Sequence, residues 1–117
     1  MILRILKHPF LAIAFTTFIF ILCVMPSENI PNGVDDKAAH LLAFVGISFL
    51  WLWVKPNYLL IIISSILFGF TIEIIQGLLP INFHRSFDIN DGFADALGVL
   101  MGAFFSFIMQ KIIKILA

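Results

Sequence analysis

The sequence predicts an all-α fold, a polytopic membrane four-helix bundle with both termini cytoplasmic. Three observations predict it. Hydrophobic residues make up 62% of the 117 residues and charged residues only 12%, far more apolar surface than a soluble domain of this length can bury. The apolar residues fall into four stretches, each near the ~20 residues that cross a hydrocarbon core. Lysine and arginine also segregate to alternate ends of those stretches, and such a bias sets orientation, because cytoplasmic flanks retain them.

The first stretch, Phe10 to Met25, is the shortest. It follows "MILRILKH", which has the basic start of a signal peptide, but "CVMPSENIP" offers no small-x-small cleavage pattern, so an uncleaved anchor is expected. "PSENIPNGVDD" carries two prolines and a glycine and separates it from the second stretch, Ala38 to Val54. The tight turn "KPN" leads into the third, Tyr58 to Leu79, and Pro80 ends that one. "PINFHRSFDIND" then precedes the fourth, Ala94 to Ile113. Proline and glycine break helices, which is why these segments read as connections. Arg4, Lys7, Lys55, Lys111 and Lys114 fall on one side and Lys37 and Arg85 on the other. The two longer, acidic loops therefore face outward, and the whole chain reads as one domain.

Net charge is formally zero and no basic tract occurs, so a nucleic-acid partner is excluded. The single cysteine, Cys23, has no partner for a disulfide or a metal site. It reads as a packed or lipid-facing residue rather than a lipid-modified one, since Leu22 stands where a lipoprotein signal has a small residue.

Polar residues inside the apolar stretches point to a site. Ser65, Gly69, Glu73 and Gly77 recur every four residues with Gln76 beside them, and Asp88, Asp91, Asp95, Gly98, Gly102 and Ser106 are spaced three or four apart. On helices each set is a single face, expected to pack against other helices. Lys37, His40, Phe44 and Trp51 follow similar spacing on the second stretch. Given the alternating directions, His40, Glu73, Gln76, Asp91 and Asp95 share one depth just beneath the outer surface. Intramembrane carboxylates are costly and mark functional sites, needing partners or a wet cavity. Lys37, His40 and Arg85 are the cations at hand. Asp88 has a competing role as an ordinary helix cap, Asp91 divides evenly between capping and a site, and Asp95 lies too deep to cap. Gly98 and Gly102 form a GxxxG step, a sign of close helix contact.

These residues resemble the VanZ-like family, named for a protein associated with low-level resistance to the glycopeptide teicoplanin. "DKAAHLLAF" from Asp36, "EIIQGLLP" from Glu73 and "RSFDINDGFADALGVLMG" from Arg85 carry the likeness. One departure is Asp95, where the family usually has asparagine, so that a neutral amide donor is replaced by a group that is ionised and paired or holds a proton. The resemblance implies a small multi-pass protein of the bacterial inner (cytoplasmic) membrane, in contact with membrane lipids, and it implies no established chemistry.

Three function classes remain. In the first, the pocket binds an amphiphilic or lipid-linked envelope molecule, such as an envelope precursor or a lipoglycopeptide. Asp36, Lys37, His40, Glu73, Gln76, Arg85, Asp88, Asp91 and Asp95 line it, Lys37 and Arg85 meet anionic head groups, and a glycine-lined groove takes the tail. The second is a membrane enzyme in which Glu73 or Asp95 is the general acid or base and His40 assists, with carboxylates gathering a divalent cation. Neither a cofactor nor a definite metal is assigned. The third is a small transporter component, for which so few helices would require a homo-oligomer.

Overall fold

The computed structural model describes residues 1–26 and 36–116, leaving aside the side chain of Asp36. Among them the regular structure is helical: α1 (Ile2–Lys7), α2 (Pro9–Val24), α3 (Asp36–Val54), α4 (Tyr58–Leu78) and α5 (Ile89–Leu116), with a short 3-10 turn at Ile81–Phe83. Residues 27–35 of the connection between the first two expected crossings lie outside the described residues.

Local chemistry sets the helix ends. His8 is extended, and its Nδ1 accepts a hydrogen bond from the Phe10 amide at 3.1 Å, while Pro9 opens α2 without needing a donor. Asn57 caps α4 by accepting from the Leu60 amide at 3.2 Å. Asp88 does the same for α5, its Oδ1 accepting from the Asn90 amide at 2.9 Å. That cap lets α5 begin at Ile89, earlier than the apolar run at Ala94, so its first turn carries polar residues.

Three helices, α3 from Lys37 onward, α4 and α5, are long and apolar enough to cross a membrane. The expected first crossing coincides with a shorter apolar helix. Between Pro9 and the stop before Pro26, α2 has only 16 residues, about 24 Å against a hydrocarbon core of roughly 30 Å. Large side chains such as Leu59, Leu67 and Phe104 lie on the outside, as lipid solvation of a helical bundle requires.

Because lipid is as apolar as leucine, hydrophobicity alone does not hold such helices together; close packing and polar contacts do. The most extensive contact joins α3 and α5. At Gly98 a Cβ would fall on the Leu41 carbonyl oxygen, and at Gly102 on Ser48 Oγ and the Val45 carbonyl. The absent side chains let the two backbones touch. Ser48 exploits this approach, donating across the seam to the Val99 carbonyl at 2.9 Å. The expected glycine face is therefore buried, but it is filled by α3 and leaves no open groove. Trp51 Nε1 donates to Thr16 Oγ1 at 2.9 Å and ties α2 to α3. Ile19, Phe44, Ile47, Ile72 and Val99 form the buried apolar core among α2, α3, α4 and α5.

Candidate functional site

Chain direction places the polar residues at one end of the bundle. His40 lies in the second turn of α3, Glu73 in the last turns of α4 and Asp95 in the second turn of α5. At 1.5 Å per residue, each is about 6–9 Å from its helix end. The three helices therefore deliver their polar groups to one level.

The spacing of buried residues explains why the side chains converge. Along α5, Asp91, Asp95, Gly98, Gly102 and Ser106 are all buried, as are Ser65, Gly69, Glu73 and Gln76 along α4. Gly77, expected on the same stripe, is exposed instead, and a Cβ there would stand 3.0 Å from that of Phe87. Gly69 makes room for the deepest acid, because a Cβ there would stand 2.9 Å from that of Asp95.

Within the cluster, His40 Nδ1 and Asp95 Oδ1 are 2.8 Å apart. The same nitrogen lies 3.8 Å from Glu73 Oε1, and Nε2 lies 3.8 Å from Asp91 Oδ2. Glu73 and Asp95 are completely buried, Asp91 is 5% exposed and His40 7% exposed. Glu73 Oε2 accepts from the Asp88 backbone amide at 3.3 Å, whereas the buried Oε1 has no hydrogen-bond partner among the described residues. Below the cluster, the fully buried Phe44, Ile72 and Val99 form an apolar floor.

At the rim, Lys37 donates to Asp91 Oδ1 at 3.0 Å and to Asp88 Oδ2 at 3.2 Å. The Lys37 ammonium and then the Asn90 amide hold the Asp88 carboxyl below its ordinary range. Asp88 thus caps α5 and anchors the rim lysine, so the two readings of this residue are compatible. Asp91 has turned inward and is shared between Lys37 and the histidine.

Two expected members stand apart from the cluster. Arg85 Nε donates to the Met25 carbonyl and Nη2 to the Leu22 carbonyl, both at 2.9 Å. Gln76 Nε2 donates to the Cys23 carbonyl at 2.8 Å. Carbonyls in the last turn of a helix lack intrahelical donors and attract cations, so these side chains clamp the end of α2. The guanidinium is engaged there rather than presented to a head group. Of Asp36, the backbone begins α3 and the side chain lies outside the described residues. His8 is taken up as the cap of α2.

A cavity of about 380 Å³ lies elsewhere, between α2, α3 and α4. Thr16, Trp51, Lys55, Leu60 and Ser64 are among its lining residues, nearer the opposite end of α3 and α4. No single stretch of sequence marks it, because its walls come from three separate helices.

Chemically, the polar cluster holds a histidine bonded to a carboxylate, an arrangement suited to proton transfer or to orienting a metal ligand. Oxygen atoms of Glu73 and Asp91 face that same ring. No curated protein and no solved structure matches the chain. The VanZ/LLP1 family model matches residues 3–110, covering every helix that contributes to the cluster and bearing out the likeness read from the three sequence blocks. The chain belongs to the VanZ/LLP1 family.

Proposed function

We propose that this chain is a multi-pass protein of the bacterial inner membrane that binds an amphiphilic, lipid-linked envelope molecule at its polar end, held in the outer leaflet with both termini cytoplasmic. The observation that carries the reading is the buried group of His40, Glu73, Asp91 and Asp95, joined through Asp91 to the half-exposed Lys37. Burying three carboxylates within an apolar bundle costs several kcal/mol unless each is compensated, and although Asp91 and Asp95 bond α5 to α3, the buried Glu73 Oε1 has no hydrogen-bond partner among the described residues. A binding role accounts for that cost. The head group sits at the Lys37 rim, and the tail lies along the lipid-facing helices. By altering access to such a molecule, the protein changes how the envelope responds to teicoplanin.

A second reading is favoured by one distance. The 2.8 Å contact between His40 and Asp95 is that of an acid–base pair, which supports modification of the bound molecule through proton transfer.

Gentle extraction of the full chain followed by mass spectrometry is expected to recover an anionic envelope lipid, and less of it from His40→Ala, Glu73→Gln and Asp95→Asn proteins. The same variants are expected to lose any protection from teicoplanin that the parent gives to cells. Normal expression with full protection and unchanged lipid content would sink the proposal.

A further inference from the structure

The buried cluster has the form of a divalent-cation site. One ligand atom each from His40, Glu73 and Asp91 lies within 4.8 Å of the other two, and all three residues are buried. Three ligands held about 2.1 Å from one ion lie roughly 3.4–3.6 Å apart, so the set must close by up to about 1 Å to reach coordination range. The 3.8 Å between His40 Nε2 and Asp91 Oδ2 already matches two ligands spread by roughly 130° around such an ion.

The unused valences point the same way. Each carboxylate commits one oxygen to the protein: Asp91 Oδ1 accepts from Lys37, and Glu73 Oε2 accepts from the Asp88 amide. Their second oxygens face the histidine, and Glu73 Oε1 is fully buried without a donor. A buried acceptor without a donor costs about 1–3 kcal/mol, more when it is charged. Protonating His40 does not supply the missing bond, because its nearer nitrogen stands 3.8 Å from Oε1 and is already 2.8 Å from Asp95. A divalent ion among these carboxylates supplies positive charge that Lys37, already shared between Asp88 and Asp91, does not.

Asp95 completes the pattern from outside the ligand set. A metal-bound histidine characteristically donates its other ring N–H to a carboxylate, which fixes its tautomer and orientation. His40 Nδ1 and Asp95 Oδ1 have that relation, leaving Nε2 directed toward Asp91.

We infer that His40 Nε2, Glu73 Oε1 and Asp91 Oδ2 bind one divalent transition-metal ion of the zinc or manganese class, with Asp95 positioning the histidine. One imidazole with two carboxylates suits those ions better than calcium, which prefers all-oxygen ligands, or cuprous ion, which prefers sulfur. Three protein ligands leave a coordination position for an oxygen of a phosphate-bearing molecule. The metal site does not depend on the lipid-binding proposal and is tested without lipid.

The full chain in detergent, stripped with a chelator, is dialysed against Zn²⁺ alone or Mn²⁺ alone, and bound metal is counted by mass spectrometry. One ion per chain is expected for at least one of these metals. Affinity should fall at least tenfold in His40→Gln, Glu73→Gln and Asp91→Asn. Asp95→Asn should keep the stoichiometry and weaken binding about 10- to 100-fold, as loss of such a histidine partner does. Lys55→Gln, exposed beyond the opposite end of α3, should match the parent within threefold. X-ray absorption on the parent protein, which requires no variant to fold, should show one imidazole nitrogen and carboxylate oxygens at about 2.0–2.2 Å. Failure to retain either ion, binding indifferent to His40 and Glu73, or a spectrum without an imidazole ligand would overturn the inference.

Discussion

Replacing Gly98 with alanine tests how the site is assembled. The added Cβ falls on the Leu41 carbonyl oxygen, a backbone atom that cannot rotate away, so α3 and α5 must separate by about 1 Å to restore ordinary contact. Overpacking of this kind costs about 1–3 kcal/mol. Weakening the bond from Ser48 to the Val99 carbonyl, now 2.9 Å, adds about 1 kcal/mol. Alanine opposes this with a helix-propensity gain of about 1 kcal/mol. The net expectation is a loss of about 1–3 kcal/mol, which differs in sign from the effect of propensity alone. Reversible unfolding in mixed micelles, followed by fluorescence of Trp51 and Trp53, measures it. Leu41 adjoins His40 and Gly98 lies one turn beyond Asp95, so the same separation should stretch their 2.8 Å contact beyond hydrogen-bond range. Nitrogen NMR of the imidazole reads that second effect. A Gly98→Ala protein as stable as the parent, with its imidazole signal unchanged, would refute the close-packing account of the seam.

Arg85→Gln should release the end of α2, since hydrogen bonds from a charged donor contribute about 1.5–3 kcal/mol each and two are lost, with partial exposure placing the result toward the lower end. Faster amide exchange over residues 10–25 with unchanged exchange in α5 checks it, and uniform loosening of the bundle would count against a local clamp. Asp88 offers a test by pH: its carboxyl titrates below the ordinary 3.8 in the folded chain, so its contribution is fully present above that value and is lost as pH falls through the lower folded value. Helicity at the start of α5 should hold at mildly acid pH and decline only below about 3.8, with that phase absent in Asp88→Asn; a loss near pH 6 would contradict the assignment.

Reading along the chain was enough to reveal the membrane character, the helical class and the family. Unbroken apolar runs, proline stops and a four-residue rhythm of small and polar groups are properties of nearby positions, and a helix converts them directly into faces. On that basis Glu73, Asp91 and Asp95 were legible as inward-facing. The two ends of α2 were also written in Pro9 and Pro26.

Tertiary packing decided which polar groups face one another. Sequence periodicity fixes the angle of a side chain around its own helix, but not the rotation or separation of that helix relative to its neighbours. Only the contact of Gly98 and Gly102 with α3 determines that His40 reaches Asp95 and that the glycine face is closed. Likewise, Arg85 and Gln76 could be recognised as polar residues near one end of the bundle, but their bonds to Leu22, Met25 and Cys23 depend on where the end of α2 comes to rest. Faces arise from local geometry, whereas sites arise from the distances between faces.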